Sequence, residues 1–390
     1  MNNRLKLFDL LRKESSTLFE GSHNIHTPKD LTTTVLNNVE LSNRKILVLF
    51  NVEFVISLVE LYNVDPANIT FYSDHDNKTN LVSRFGVKYI NTLEQEMKFD
   101  VVIANPPYQD SEDSGGTLWG KFASKAFNKL TAPDGYVVMI HPPSFIGKHQ
   151  SKGKGKSDYS VFNNYQIEQI HLLDDKEKNK YFPGVGTKIC WYIGRNQPVH
   201  TDTTVVGYDN GNTVEFMTHF PSTTFLPNIV NDLSIRIHNK LRAVASLKFN
   251  QKRELHYHNM KIKGTVDNVS TPTHPYKSYF SHKITRYSSF TFSDYANIKL
   301  MVPQTSTIGN AFIDKDCNVS EDLFYVCCNT NKEASDLLTY LNSNLVKYIG
   351  KTYRPGRNLG SLLAAGIIPE PTASIVLNQE ELDYINANTK

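Results

Sequence analysis

Cysteine is scarce in this 390-residue chain. The four present, Cys190, Cys317, Cys327 and Cys328, have neither the paired spacing of a zinc site nor the density of a disulfide scaffold, and suit reduced thiols in a cytoplasmic protein. No apolar run approaches the roughly 18 residues that a spanning helix needs, so that class of membrane protein is excluded. The opening stretch MNNRLKLFDLLRKE has charges too closely spaced for a secretion signal. Internal repeats are lacking, and the one biased stretch is the basic, Gly/Ser-rich KHQSKGKGKS at 148–157, which reads as a loop.

What is present describes a globular protein, with 39% hydrophobic and 21% charged residues. The length is too great for one typical core, and two domains are expected. A net charge of +3 would say little if evenly spread, but it is not. From Arg236 to Arg286 the chain carries eleven lysines and arginines against only Glu254 and Asp267, interleaved with tyrosines and histidines. That mixture suits phosphate contacts and base stacking, and a merely solvated basic face accounts for it equally well.

Strands and helices alternate through the first half. KILVLF (45–50) reads as a buried strand, EFVISLVELY (53–62) as a helix and NITFYSD (68–74) as a second strand. NKTNLVSRFG reads as a helix closed by Gly86, followed by KYI (88–90) and FDVVIA (99–104) as strands. An amphipathic helix over 118–130, a strand in GYVVMIHPPSFI, and strands at 167–173 and 187–194 complete the series. Apolar strands interleaved with helices imply an α/β fold, a doubly wound sheet. The pattern breaks into turns and short β-like pieces near 196–210, which predicts domains at 1–200 and 201–390. In the second, the stretch 331–350 reads as one amphipathic helix.

The stretch FDVVIANPPYQD ends an apolar strand with an amide, two prolines and a phenol. Proline lacks the ladder donor, so the strand stops there, at the sheet edge where open α/β folds place ligands. The chemistry of Asn105, Pro106, Pro107 and Tyr108 follows from residue type. An exocyclic base amine is a poor nucleophile because its lone pair is conjugated into the ring. Two acceptors that hold both amine hydrogens favour a tetrahedral nitrogen, and the Asn105 side-chain oxygen and the Pro106 carbonyl can supply them. The prolines fix the backbone that aims these oxygens. Tyr108 can stack on an extracted base.

With these residues the chain resembles the adenine-N6 DNA methyltransferases, which use S-adenosylmethionine and place a catalytic domain before a target-recognition domain. The resemblance covers about the first 195 residues in order and the remainder more loosely. It implies a Rossmann-like methyltransferase sheet with a second, mixed α+β domain. HTPKDLTTTVLNNV (26–39) is similar to the leading cofactor motif, which implies that Thr27 and Pro28 lie beside the methionine end. ITFYSDHD is similar to the second-strand motif, which implies Asp74 on the ribose hydroxyls, and Phe182 in YFPGVGTKICWYI is implied to line the base pocket opposite Tyr108.

Two departures accompany the resemblance. The first strand of the family ends in a glycine-bearing loop, whereas LVLFNVEFV has no glycine and places Asn51, Val52 and Glu53 there. Asn51 suits a helix cap and Glu53 can attract the cofactor's amino group; both equally suit capping alone. After the third strand, YINTLE offers Asn91 or Thr92 in place of the carboxylate expected on the cofactor's adenine. For the nucleic acid, Lys252 and Arg253 of the basic stretch and Arg354 and Arg357 in TYRPGRNLG are the candidate contacts, although that second stretch equally suits a surface turn.

The expectation is thus a cytoplasmic, monomeric enzyme that methylates N6 of a flipped adenine in double-stranded DNA, with S-adenosylmethionine as cofactor, no metal and no membrane association. The same tetrapeptide serves chemistry on adenine in RNA or on a glutamine amide in protein, and a DNA-binding homologue with a degenerate cofactor loop is a third reading. The large basic second half favours nucleic acid over a protein tail.

Overall fold

Ile46, Leu47, Val48 and Leu49 are buried on both faces, as a central parallel strand requires, and the first sheet is built outward from them. The computed structural model describes residues 13, 26–73, 82–93, 97–108, 118–145, 161–209, 212–219, 226–252, 264–304, 307–353, 359, 362–363 and 366–389. They divide into one unit that runs to Thr224 and includes Ile229–Asn231, and another made of Phe225–Asn228 and the chain from Asp232 onward.

The first unit is the expected α/β sheet. Its strands are β1 (Ile46–Leu49), β2 (Ile69–Tyr72), β3 (Lys88–Ile90), β4 (Phe99–Ala104), β5 (Thr131–His141), β6 (Gln166–Leu172), β7 (Cys190–Arg195), β8 (Thr203–Asp209) and β9 (Asn212–Thr218). They pair in the order β3-β2-β1-β4-β5-β7-β6-β8-β9. The run from β3 to β5 is parallel, and β7 lies antiparallel between β5 and β6. Helices α1 (Lys29–Leu36), α2 (Val52–Glu60), α3 (Leu118–Lys125), α4 (Val161–Asn164) and α5 (Asp175–Tyr181) connect or flank them. A π turn over Ala126–Leu130 continues α3, so the helix expected at 118–130 is present in full. The strands expected at KYI and FDVVIA appear at those bounds.

Because β1 connects outward to β2 while its other neighbour is β4, the strand order reverses between β1 and β4. In open α/β sheets ligands bind at the carboxyl ends of the strands at such a switch point. The ends of β1 and β4 are level: Leu49 pairs with Ala104, so Phe50 and Asn105 each stand one residue beyond the ladder.

The first unit extends past the boundary expected at residue 200. Thr204–Gly207 of β8 pairs with Gln169–Leu172 of β6, and β9 folds back on β8, so this hairpin widens the first sheet instead of opening a new domain. Val230 packs against it so closely that a Cβ at Gly207 would lie 2.0 Å from the Val230 Cβ.

The second unit is mixed α+β. A four-stranded sheet has the order β10-β12-β11-β15, from β10 (Val266–Asp267), β11 (Tyr276–Ser281), β12 (Ile284–Ser288) and β15 (Asn318–Val319). A three-stranded sheet has the order β14-β13-β16, from β13 (Ile298–Pro303), β14 (Phe312–Asp314) and β16 (Leu323–Cys328). Helices α6 (Asp232–Arg242), α7 (Asn331–Leu341), α8 (Asn344–Thr352) and α9 (Gln379–Ala387) complete it. The single helix expected over 331–350 is two. Asn342 ends the first and Ser343 caps the second, its Oγ accepting from Val346 N at 3.4 Å, so a residue read as helix interior is a start signal.

Charges expected on a nucleic-acid face are in several cases paired within this unit. Arg236 donates to Glu380 at 2.7 Å and Lys240 to Glu381 at 2.6 Å, tying α6 to α9. Lys277 donates to Asp314 at 2.5 Å. There burial acts to raise the Asp314 carboxyl, but hydrogen bonds from Lys277 and Tyr279 outweigh it and hold the group below its usual range. Lys299 is wholly buried, and its ammonium donates to the carbonyls of Asp294, Tyr295, Asn297 and Cys317. Among the described residues no helix is long and apolar enough to cross a membrane.

Candidate active site

Three segments far apart in sequence meet at the carboxyl ends of β1 and β4. Thr27 leads into α1, Asn51 follows β1, and Asn105 follows β4. All three are buried, with Thr27 at 0%, Asn51 at 1% and Asn105 at 2% exposure. The Thr27 hydroxyl oxygen accepts from Asn51 Nδ2 at 2.7 Å and from Asn105 Nδ2 at 2.9 Å. Two residues implied for the cofactor and one derived for the chemistry therefore form a single hydrogen-bonded group. In this low-dielectric setting the bonds are stronger than at a surface.

Local sequence explains each position. Thr27 precedes Pro28, which biases its backbone to the extended region, and Pro28 (φ −66°, ψ 153°) is the N-cap of α1. The Pro28 carbonyl accepts from both Thr32 N at 3.0 Å and Thr32 Oγ1 at 3.1 Å, anchoring the head of that helix. Asn51 caps α2, with Oδ1 accepting from Glu53 N at 3.1 Å. Glu53 lies in the first turn of α2, where the helix dipole favours a carboxylate, and its Oε1 accepts from Ser57 Oγ at 2.9 Å. Asn51 is thus a helix cap through its amide oxygen, and its amide nitrogen is engaged by Thr27.

Phe50 carries no sequence signal, yet it shapes the turn. Its φ of +65° is the left-handed conformation that a glycine would favour, so a bulky residue supplies the backbone shape of the missing glycine. Phe50 N donates to Tyr72 O at 2.8 Å. Its ring, 3% exposed, makes edge contacts with Tyr72 at 5.3 Å and Phe122 at 4.9 Å. These contacts compensate the conformational cost.

Pro106 is buried, and Pro107 and Tyr108 are half-buried. Tyr108 packs against the large apolar cluster of the first unit, and Phe182, expected to line a base pocket, is a buried member of that cluster. The Tyr108 hydroxyl is enclosed without a hydrogen-bond partner among the described residues. Burial, with a smaller contribution from Cys190, raises it well above the usual phenol range, and it stays protonated.

β5 ends in His-Pro-Pro beside the Asn-Pro-Pro of β4. His141 Nδ1 donates to the Pro142 carbonyl at 2.8 Å, a pure acceptor, which fixes the tautomer and leaves Nε2 as a buried acceptor without a partner among the described residues. The ring stacks on Trp119 at 3.9 Å. Burial lowers its pKa to about 3, against the smaller opposing effect of the Pro142 bond, so it is neutral at physiological pH. The repeated X-Pro-Pro was the signal available in the sequence.

Asn91 and Thr92 are exposed at the end of β3, the outermost strand on that side of the sheet. Lys252 is engaged inside the second unit, 3.8 Å from Asp294 Oδ2 and 5.0 Å from the centre of the Phe292 ring. Asp74, Arg253, Arg354 and Arg357 lie outside the described residues. Tyr353, beside that arginine pair, is buried rather than presented on a turn. Among the described residues, no group of three or more His, Cys, Asp or Glu side chains is placed to hold a metal ion.

Residues 36–179 match the Eco57I restriction-modification methylase family. No curated relative matches the chain. Among solved structures it is similar to the type IIG restriction endonuclease BpuSI, with 12% identity and TM-score 0.42, over 98% of this chain and 63% of that one. It is also similar to the type IIL restriction-modification enzyme MmeI in complex with DNA, with 10% identity and TM-score 0.40, over 100% of this chain and 69% of that one. A type I restriction-modification methyltransferase subunit from Streptococcus thermophilus matches at 16% identity and TM-score 0.33, over 50% of each chain. The chain therefore spans from half to about two thirds of these relatives' length.

Proposed function

We propose that the protein is a DNA methyltransferase of a restriction-modification system, and that it transfers a methyl group to N6 of an adenine turned out of the duplex. The match of residues 36–179 to restriction-modification methylases supports DNA methylation. The observation that carries the finer reading is the hold of Thr27 on the donor end of the Asn105 amide. That bond turns the amide oxygen to the other branch of the group, as an acceptor for an amine.

S-adenosylmethionine suits the residues at the β1–α2 turn. Phe50 gives the turn its left-handed shape without glycine, and Asn51 fixes the N-terminus of α2 at the strand end. Thr27, Pro28, Asn51 and Glu53 would hold the amino-acid end, with Glu53 as counter-charge to its ammonium. Asp74, Asn91 and Thr92 are proposed for the nucleoside end. When bound, this cofactor supplies an electrophilic methyl group on sulfur.

The protein's own contribution is to bind and orient the amine. Asn105 Oδ1 and the Pro106 carbonyl accept its two hydrogens and bring the nitrogen toward tetrahedral geometry. Tyr108 stacks on the base, and Phe182, buried in the core, is proposed for the wall of the same pocket. The second unit holds the duplex, with Arg253, Arg354 and Arg357 proposed at phosphates or guanines. Expression in a host without DNA methylation, followed by nucleoside mass spectrometry and methylation-sensitive sequencing, tests the reading. N6-methyladenine at one short site is expected, whereas unmodified DNA or methylcytosine would overturn it.

A further inference from the structure

Thr27 makes bonds that run toward the reacting group as well as toward the cofactor turn. Its buried Oγ1 receives Asn51 Nδ2 and Asn105 Nδ2 at 2.7 and 2.9 Å. A hydroxyl oxygen has two lone pairs, so both are engaged. The orientation of Asn51 is dictated by the backbone. Its Oδ1 accepts from Glu53 N at 3.1 Å, a donor that cannot be reversed, so Nδ2 must face Thr27. Thr27 Oγ1 can then meet Asn105 in only two ways. As acceptor, it takes the Asn105 NH2 and the amide oxygen turns away. As donor, it takes the Asn105 oxygen and the NH2 turns away, to confront a substrate amine donor against donor.

We propose that Thr27 is a positioning residue that sets the flip of the Asn105 amide and so makes the site an acceptor of amine hydrogens. This rests on the methyltransferase reading above. Rigid attachment supports it: Thr27 directly precedes Pro28, the N-cap of α1, which restricts its backbone, and Asn51 is held as the cap of α2. Neither partner can drift from the pair without disturbing a helix start.

The test compares Thr27→Val, which keeps the shape and removes the acceptor, with Thr27→Ser, which restores it. Wild type and both variants are measured for S-adenosylmethionine Kd by calorimetry, for kcat and KM on duplex DNA carrying the methylation site, and for the Asn105 side-chain amide in 15N–1H spectra, assigned with Asn105→Ala. Thr27→Val is expected to lose about tenfold or more in kcat at saturating cofactor, a loss that remains after any change in cofactor Kd, the scale of one hydrogen bond that acts in the transition state. Thr27→Ser is expected to restore kcat. The Asn105 amide protons, slowly exchanging in wild type and in Thr27→Ser, are expected to lose protection in Thr27→Val. Should Thr27→Val not fold, Thr27→Ala, which only removes atoms, carries the same expectations. Unchanged kcat, or a loss confined to cofactor Kd, would overturn the proposal. If the wild type methylates no adenine, the functional reading fails, while the amide spectra still decide whether Thr27 sets the flip.

Discussion

Acid should unfold the first unit through two histidines that it buries without charge. His141 is fully buried against Trp119, and His171, 8% exposed, stacks on Trp191 at 3.5 Å. Burial lowers both from 6.5 to about 3. The folded state thus binds a proton less readily than the unfolded chain. The stability linked to each is fully present above about pH 6.5 and is lost as pH falls from there toward about 3. Between neutrality and about pH 5 the unfolded chain takes up these protons while the folded unit does not, which costs about 2 kcal/mol per histidine and about 4 for the pair. The result depends little on the folded value so long as that lies well below 5. The chain's two tryptophans, Trp119 and Trp191, both lie in the first unit, so their fluorescence follows that unit alone. Urea midpoints near pH 7.5 and pH 5 would be compared for wild type, His141→Phe, His171→Phe and the double variant. Phenylalanine keeps the stacking and removes the titration. The acid-induced loss should shrink by about 2 kcal/mol in each single variant and by about 4 in the double, in which His26, also lowered by burial, keeps its share. An equal loss in wild type and double variant would refute the reasoning.

Two further substitutions probe the site and the second unit. Phe50→Gly relieves a left-handed residue, worth about 1 to 2 kcal/mol, but removes a buried aromatic worth about 3 to 5, so a net loss of about 2 kcal/mol is expected in the same fluorescence assay. A stabilised variant would show that the Tyr72 and Phe122 contacts do not hold the turn. Lys252→Ala should leave the salt dependence of DNA affinity unchanged, because Asp294 and Phe292 engage the ammonium. A slope reduced by about one unit would instead mark a phosphate contact.

How much of this was legible depended on the range of the interaction. FDVVIA declared both its strand and its end, because burial on two faces and the prolines act locally. The meeting of Thr27 with Asn105 did not, since the two are 78 positions apart and the strand order that joins them has no local mark. Phe50 was invisible because a left-handed turn usually announces itself by glycine. The β8–β9 hairpin read as a boundary because its last strand alternates exposed and covered residues at the sheet edge, and polar alternation there mimics a linker. The basic stretch was countable, but its acids, Asp314, Glu380 and Glu381, lie in later segments and appear only when the unit folds.

Transfer of a labelled methyl group from S-adenosylmethionine to a duplex containing one methylation site, in a single turnover with wild type and Asn105→Ala, tests the central claim most directly. Wild type should label adenine N6, and Asn105→Ala should lose transfer by orders of magnitude while binding the duplex nearly as tightly. Transfer by Asn105→Ala at a rate near that of wild type would contradict the account.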